Sequence, residues 1–213
     1  MTLKKLEELV GGKLSAVSKM PGNGFSLPAE DCPTGSKLVK VKGSVCSSCY
    51  ALKGRYQFPK VKAGLKKRLK AVKENPLWEF HMVELIKKKD KCGYFRIHPS
   101  GYFISLTYLR KWVFIAESLP DIKFWGPTRE VGLIKQYRNL YGDFPDNLVI
   151  RVSNHMIDGH SFNGKYAYTS SVVTKISGKT CPATIKGNDS SCAGNNCTNC
   201  WDRNVPHINY FLH

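Results

Sequence analysis

The sequence predicts an α/β fold built from parallel strand–helix–strand units, and three observations predict it. From Gly93 onward, short apolar runs alternate with amphipathic stretches: "GYFRI", "SLTYLRKWVFIAESLP", "IKFWG", "TREVGLIKQYRNLYG" and "NLVIRVS". Strand, helix, strand, helix, strand in that order is the pattern of parallel crossover units. The 213 residues, 42% of them hydrophobic and without an internal repeat, suffice for one sizeable core, so residues 1–213 are read as a single domain. The cysteines fall outside the alternating region, apart from Cys92, and collect in the two segments that flank it.

Taken in order, "MTLKKLEELVGG" reads as a short amphipathic helix. Residues 12–56 form an N-terminal cysteine loop region. Its first part is rich in Gly, Pro and Ser and reads as irregular, with short strands at Phe25 to Pro28 and Lys37 to Val41. Residues 57–178 hold the helices and β/α units. In Lys60 to Glu74, Val61, Leu65, Leu69 and Val72 recur at helical spacing. Pro76 suits the first position of a second helix running to about Lys89. Ser105 is the expected N-cap of the next helix and Pro120 its stop. "YAYTSSVVTKIS" adds one or two strands. Residues 179–213 form a C-terminal cysteine-rich segment that closes on "VPHINYFLH", a final strand. Trp78, Trp112 and Trp125 fall in apolar patterns and are expected in the core.

The chain carries 33 Lys and Arg against 16 Asp and Glu, a formal net charge of +17. That excess favours a polyanionic partner such as a nucleic acid. The back of the first long helix concentrates it in Lys60, Lys62, Lys66, Lys67, Arg68, Lys70 and Lys73, a face suited either to a phosphate backbone or simply to water. No apolar run is long enough to span a bilayer, so no membrane association is expected. The N-terminus lacks the unbroken apolar stretch of a signal peptide, and a cytoplasmic location is expected. No Walker loop, dinucleotide fingerprint or Gly-x-Ser-x-Gly elbow is present.

In a reducing compartment, clustered cysteines serve as metal ligands more often than as disulfides. Cys46 and Cys49 form one C-x2-C pair and Cys197 and Cys200 another, with Cys32, Cys181 and Cys192 nearby in sequence. Two C-x2-C pairs suit a single tetrahedral zinc site. That assignment leaves Cys32, Cys181 and Cys192 without a role. An iron–sulfur cluster on Cys181, Cys192, Cys197 and Cys200 uses the dense terminal spacing and the proline after Cys181. Cys32, Cys46 and Cys49 then hold a cluster with one open iron, or join the C-terminal group. Lys53, Arg55 and a helix starting at Tyr50-Ala51 are expected to offset the thiolate charge. Cys92, at the start of a strand, is expected to be a buried thiol.

Strand ends supply a second set of candidates, because ligands of parallel α/β folds bind beyond the carboxyl ends of strands. Arg96 and His98 end the first alternating strand, with Ser100-Gly101 after them as a turn able to offer N–H groups. Thr128, Arg129 and Glu130 follow the second strand, and Arg151 and Ser153 lie in and just past the third. Arg96, His98, Arg129 and Arg151 are read as binding an anionic ligand, a carboxylate or a phosphate, unless strand alternation turns one of them outward. The "HMIDGH" stretch sets His155 and His160 near each other in sequence as a metal site would, but scattered loop histidines are more often simply solvated, and no metal is assigned to them.

The blocks "SLPAEDCPTGSKL", "GSVCSSCYALKGRY", "FRIHPSGY", "KFWGPTRE", "IRVS", "SSVV", "TCPA" and "CTNCWDRNVPHINYFLH" occur in an order, and over nearly the whole chain, that resembles the phage gene product eighty-eight family. That family is similar to a shortened radical S-adenosylmethionine enzyme, and the Cys46-x2-Cys49-Tyr50-Ala51 block resembles the end of the cluster loop of such enzymes. The resemblance implies a partial or incomplete (β/α) barrel, a 4Fe-4S iron–sulfur cluster and, for a phage-encoded protein, host cytoplasm as the location. S-adenosylmethionine is a ligand only if Cys32, Cys46 and Cys49 leave one iron open, and the stretched Cys32 spacing favours a site closed by a C-terminal cysteine. It implies no reaction. The chain departs from the pattern in two places. Thirteen residues separate Cys32 from Cys46, where radical enzymes leave three between their first two cysteines. His98-Pro99-Ser100-Gly101-Tyr102 also lacks both acidic residues of the family's usual block. The expected function is a phage-type iron–sulfur cluster-binding protein, redox-active or associated with nucleic acid. The alternative is a zinc-stabilised nucleic-acid-binding protein without catalysis.

Overall fold

One seven-stranded sheet organises the chain, and its strands lie side by side in the order in which they occur in the sequence. The computed structural model describes residues 1–159, 162 and 164–212. Helix α1 (Leu3–Leu9) precedes a short antiparallel pair, β1 (Ser15–Ala16) and β2 (Asn23–Phe25). The cysteine loop follows, with α2 (Pro33–Leu38), and then α3 (Pro59–Glu74) and α4 (Trp78–Lys89). The alternating part comprises β3 (Tyr94–Ile97), α5 (Leu106–Glu117), β4 (Lys123–Thr128), α6 (Val131–Tyr141) and β5 (Leu148–Ser153). Strands β6 (Thr169–Val173) and β7 (His207–Phe211) complete the sheet. Each strand from β2 to β7 pairs parallel with the next. Strands β1 and β7 stand at opposite edges, so the sheet is open. Among the described residues, no helix is long and apolar enough to cross a membrane.

Strand alternation gives the sheet two unlike faces. Phe95, Ile97, Phe124, Leu148, Ile150 and Val152 enter the main core beneath the helices. There Trp78 and Trp112 meet edge to face at 5.5 Å between centroids, with Phe25 5.3 Å from Trp78. Trp125 and Val149 point the other way, into a smaller cluster with Cys200, Trp201, Val205 and Ile208. The helices thus cover one face, and the C-terminal segment between β6 and β7 covers the other.

The expected helices and strands of residues 93–153 are all present. Ser105 caps α5, its hydroxyl accepting from the Tyr108 N–H at 3.1 Å. Such a cap contributes about 1 kcal/mol. Corrections concentrate in the loop region. Lys37 to Val41, expected as a strand, ends α2 instead, because Pro33 fixes the first helical φ and the Cys32 sulfur accepts from the Gly35 N–H at 3.2 Å. The Phe25 to Pro28 strand is shifted toward the N-terminus as β2. Helix α4 begins at Trp78, and Asn75 rather than Pro76 organises its start by accepting from the Leu77 N–H. Tyr50–Leu52 is a short 3-10 turn, not the start of a helix with an appreciable dipole. Cys92 is exposed in the turn before β3, where Asp90 accepts from the Gly93 N–H, rather than buried in the strand.

Candidate functional site

The loop that follows β2 carries Cys32, Cys46 and Cys49 to the carboxyl edge of β4 and β5. Thr34 donates both its N–H and its hydroxyl to the Glu130 carboxylate, at 3.1 and 2.9 Å, and the Cys32 thiol lies 3.8 Å from the same group. Glu130 directly follows β4. The Cys46 turn (Val45–Ser48) is anchored to the end of β5, with the Val45 N–H donating to the His155 carbonyl at 2.9 Å. Ser44 forms a bridge to Met156 beside it. Arg129 donates from Nε to the Asn154 carbonyl at 3.0 Å and faces the Cys32 and Cys46 thiols. Burial pushes Cys32 up to about 11 and raises Cys46 as well, with the Glu130 charge adding to both and Arg129 opposing it. Cys32 and Cys46 are therefore neutral thiols near pH 7.

The second thiol group lies on the sheet face that the helices leave free. The Cys181 N–H donates to the Asn209 carbonyl of β7 at 2.8 Å. The Cys192 N–H donates to Lys19 and the Cys197 N–H to Cys192. Cys200 sits in the turn Asn199–Trp201, with its sulfur 3.2 Å from the Tyr210 hydroxyl. Burial pushes Cys192 up to about 11 and Cys200 to about 12, and raises Cys181. Cys181 and Cys197 both act on Cys192, so these thiols form one electrostatic group. All eight cysteines are free. Among the described residues, no group of three or more His, Cys, Asp or Glu side chains is placed to hold a metal ion.

The four residues read as anion-binding separate into distinct roles. Arg151 is fully buried and donates to the carbonyls of Cys200 (3.1 Å), Asn199 (3.0 Å), Asp202 (3.1 Å) and Pro206 (3.5 Å). Its guanidinium is spent on clamping the C-terminal segment to the sheet. His98 has a positive φ of 55°, which turns its ring onto the helix face, away from the face Arg96 occupies. It lies 4.7 Å from the Phe103 ring, with Nε2 3.1 Å from the Tyr108 hydroxyl. Burial pulls its pKa down to about 3, so it is neutral. The Ser100-Gly101 turn stitches to Leu27 through the Leu27 N–H to Ser100 carbonyl bond at 2.9 Å. Gly101 is required there, since at φ 105° a Cβ would come within 2.7 Å of the Leu27 side chain. Arg129 stands by the first thiol group, as described.

Arg96 lies on the free face, only 6% exposed, opposite Gly24 and Trp125 in the register. Its charge acts on Cys192 and Cys200 on one side and, on the other, on Tyr50, the neighbour of Cys49. The Tyr50 hydroxyl donates to the Pro99 carbonyl, just beyond β3. Tyr50, Tyr210 and Trp201, whose indole donates to the Phe95 carbonyl at 3.0 Å, border the site without having been recognisable as site residues. Tyr50 and Trp201 follow Cys49 and Cys200 in the sequence, while Tyr210 reaches the Cys200 sulfur through the fold. His155 places Nε2 3.3 Å from the Arg129 carbonyl, and His160 lies outside the described residues.

Of the basic back of α3, Lys60, Lys66, Lys67, Lys70 and Lys73 are exposed. Lys62 pairs with Glu30 at 2.7 Å, and Arg68 turns inward to Ser15 and the Lys13 carbonyl.

An open α/β sheet with strands in chain order, free thiols at its carboxyl edge and more on the face that the C-terminal segment covers, defines a parallel α/β protein with a thiol-rich candidate site. Residues 2–210 match the family model described as Gene product 88, and the chain belongs to this phage gene product family. No curated protein and no solved structure matches the chain.

Proposed function

We propose that this protein is an iron–sulfur cluster-binding protein, with ligands drawn from Cys32, Cys46 and Cys49 and from Cys181, Cys192, Cys197 and Cys200. The observation that carries the reading is the division of seven free thiols into two groups, one beside Glu130 and Arg129 at the strand ends and one in the cluster that Arg96 and Trp125 share on the opposite sheet face. The donor set fits such a cluster by its chemistry, since thiolate sulfur is the usual protein ligand of iron–sulfur clusters. Each cysteine has a single χ1 to re-aim, and loading replaces the thiol proton by metal. The sheet supports the finer fold reading. Parallel strands laid down in chain order, with helices on one face, form the repeating unit of a (β/α) barrel, here partial and radical-enzyme-like.

A bound cluster supplies one-electron chemistry and, at an iron without a protein ligand, a position for an exchangeable molecule such as S-adenosylmethionine. The chain's own groups hold and shield the thiols. Glu130 ties the Cys32 loop to the end of β4. Arg151 holds Cys200 against the sheet, and Tyr210 hydrogen-bonds with its sulfur. Protein purified or reconstituted without oxygen should be brown, with broad visible absorption and with iron and acid-labile sulfide in similar amounts. A colourless protein that retains zinc and takes up no iron would decide for the zinc-stabilised alternative.

The exposed lysines of α3, with the net charge of +17, favour a nucleic acid as the macromolecular partner. Binding through them should weaken steeply with salt, and reversing Lys66, Lys70 and Lys73 to Glu should flatten that dependence by about one counterion for each lysine–phosphate pair removed. A salt-insensitive affinity, or the same slope in the reversed variant, removes the α3 face from the interaction.

A further inference from the structure

We infer that Arg96 is the built-in counter-cation of the metal–thiolate group on the sheet face opposite the helices, where it stacks on Trp125 within the same packed cluster as Cys192 and Cys200. This rests on the iron–sulfur reading and adds to it a residue that sets the electrostatic state of the centre.

The contrast between two arginines on the same face carries the inference. Arg151 spends its donors on four backbone carbonyls. Arg96 is 6% exposed, yet its Nε has no hydrogen-bond partner and its Nη1 reaches only the sulfur of Met20, at 3.8 Å. Its guanidinium carbon lies 3.5 Å from the centre of the Trp125 ring. Among the described residues, no carboxylate lies within ion-pair distance of it. Arginine cannot shed its proton, so it cannot escape a dry site by neutralising as lysine does. Stacking on an indole recovers only part of the lost hydration. A buried guanidinium left in this state lacks an anion, and the groups its field reaches are cysteines, tyrosines and the neutral His98, not acids. Metal loading converts those thiols to thiolates and supplies the missing negative charge. Arg96 then acts as a positioning residue: it stabilises the more negative, reduced form of the centre without ligating it.

Two variants in the full chain test this. Arg96→Met keeps the stem over Trp125 and removes the charge; Arg96→Lys restores a cation in the loaded protein, where facing thiolates keep the ammonium protonated. The apo Arg96→Met protein should melt at or above the wild-type apo protein, because a buried charge without a partner has been removed. Its reconstituted C-terminal centre should have a lower midpoint potential by about 59 mV or more, a tenfold change in a one-electron equilibrium. Arg96→Lys should recover most of that shift. A less stable apo Arg96→Met protein, or an unchanged potential in the loaded one, overturns the inference. Wild-type protein that takes up no iron overturns the functional reading itself and with it the identity of the anion. Iron-bearing wild type with an unaltered Arg96→Met variant overturns the inference alone.

Discussion

Arg151→Met is expected to cost about 3 kcal/mol or more of unfolding free energy and to loosen the C-terminal segment before the rest of the sheet. The substitution keeps a long apolar stem under Tyr168, whose ring centre lies 5.7 Å from the guanidinium carbon. It removes the four guanidinium hydrogen bonds to the turn at Asn199–Trp201 and the chain to Pro206. Hydrogen bonds from a charged donor contribute about 1.5–3 kcal/mol each, and a buried carbonyl left without a partner costs about 1–3 kcal/mol. The total is less than the sum of these, because Asn199, Asp202 and Pro206 carbonyls also accept from backbone N–H groups and because the variant no longer buries a cation. The Cys200 carbonyl has no such second donor among the bonds that hold this turn. Urea unfolding measures the loss, and amide exchange locates it. An unchanged midpoint, or faster exchange spread evenly over α5 and the segment after Cys192, would show that Arg151 is not the clamp.

Removing the thiols in pairs should divide the iron. The thiols act on one another within each group, Cys46 with Cys32 and Cys49, and Cys192 with Cys181 and Cys197. The two groups are also anchored on different parts of the sheet, one at the ends of β4 and β5 and one on the free face. Cys46→Ser with Cys49→Ser should therefore remove about half of the iron and sulfide, and Cys192→Ser with Cys200→Ser the other half. Nearly complete loss from either pair alone would mean one shared centre, and full retention by either would take that group out of the ligand set. Uptake should also fall as pH is lowered. Burial has raised Cys32, Cys192 and Cys200 to about 11 or 12, so each must release a proton against an already unfavourable equilibrium when metal binds.

The central strands were legible because burial on both faces writes itself as short apolar runs, as in "NLVIRVS", where every residue from Leu148 to Ser153 is buried. The loop region was not. Strands β1 and β2 hold two and three residues, too short for any period to show, and the helix at Pro33–Leu38 is declared by a proline and a sulfur cap rather than by an apolar stripe. Cysteine spacing announced the two thiol groups. It could not announce Glu130, which meets the Cys32 loop only through the fold. The strand-end arginines show the limit of counting along a chain. Arg96 and Arg151 share a face, yet one is saturated by carbonyls and the other is not, and that difference depends on where the C-terminal turn lands. His98, two residues after Arg96, was expected beside it; a single left-handed residue sent it to the opposite face.

Strand order in the sheet follows strand order in the chain, and this has a consequence for a protein emerging from the ribosome. Each new strand finds its neighbour already made, so β2 to β6 can assemble in the order of synthesis. The segment bearing the second thiol group breaks that rule. Its Cys192 N–H returns to Lys19, before β2, and its Trp201 indole returns to Phe95 in β3. Until that late segment folds back, Arg96 and Trp125 face solvent on an otherwise formed sheet. The free face is therefore sealed last, and a nascent chain stalled before Cys181 would carry the first thiol group with nothing to cover the face beside it.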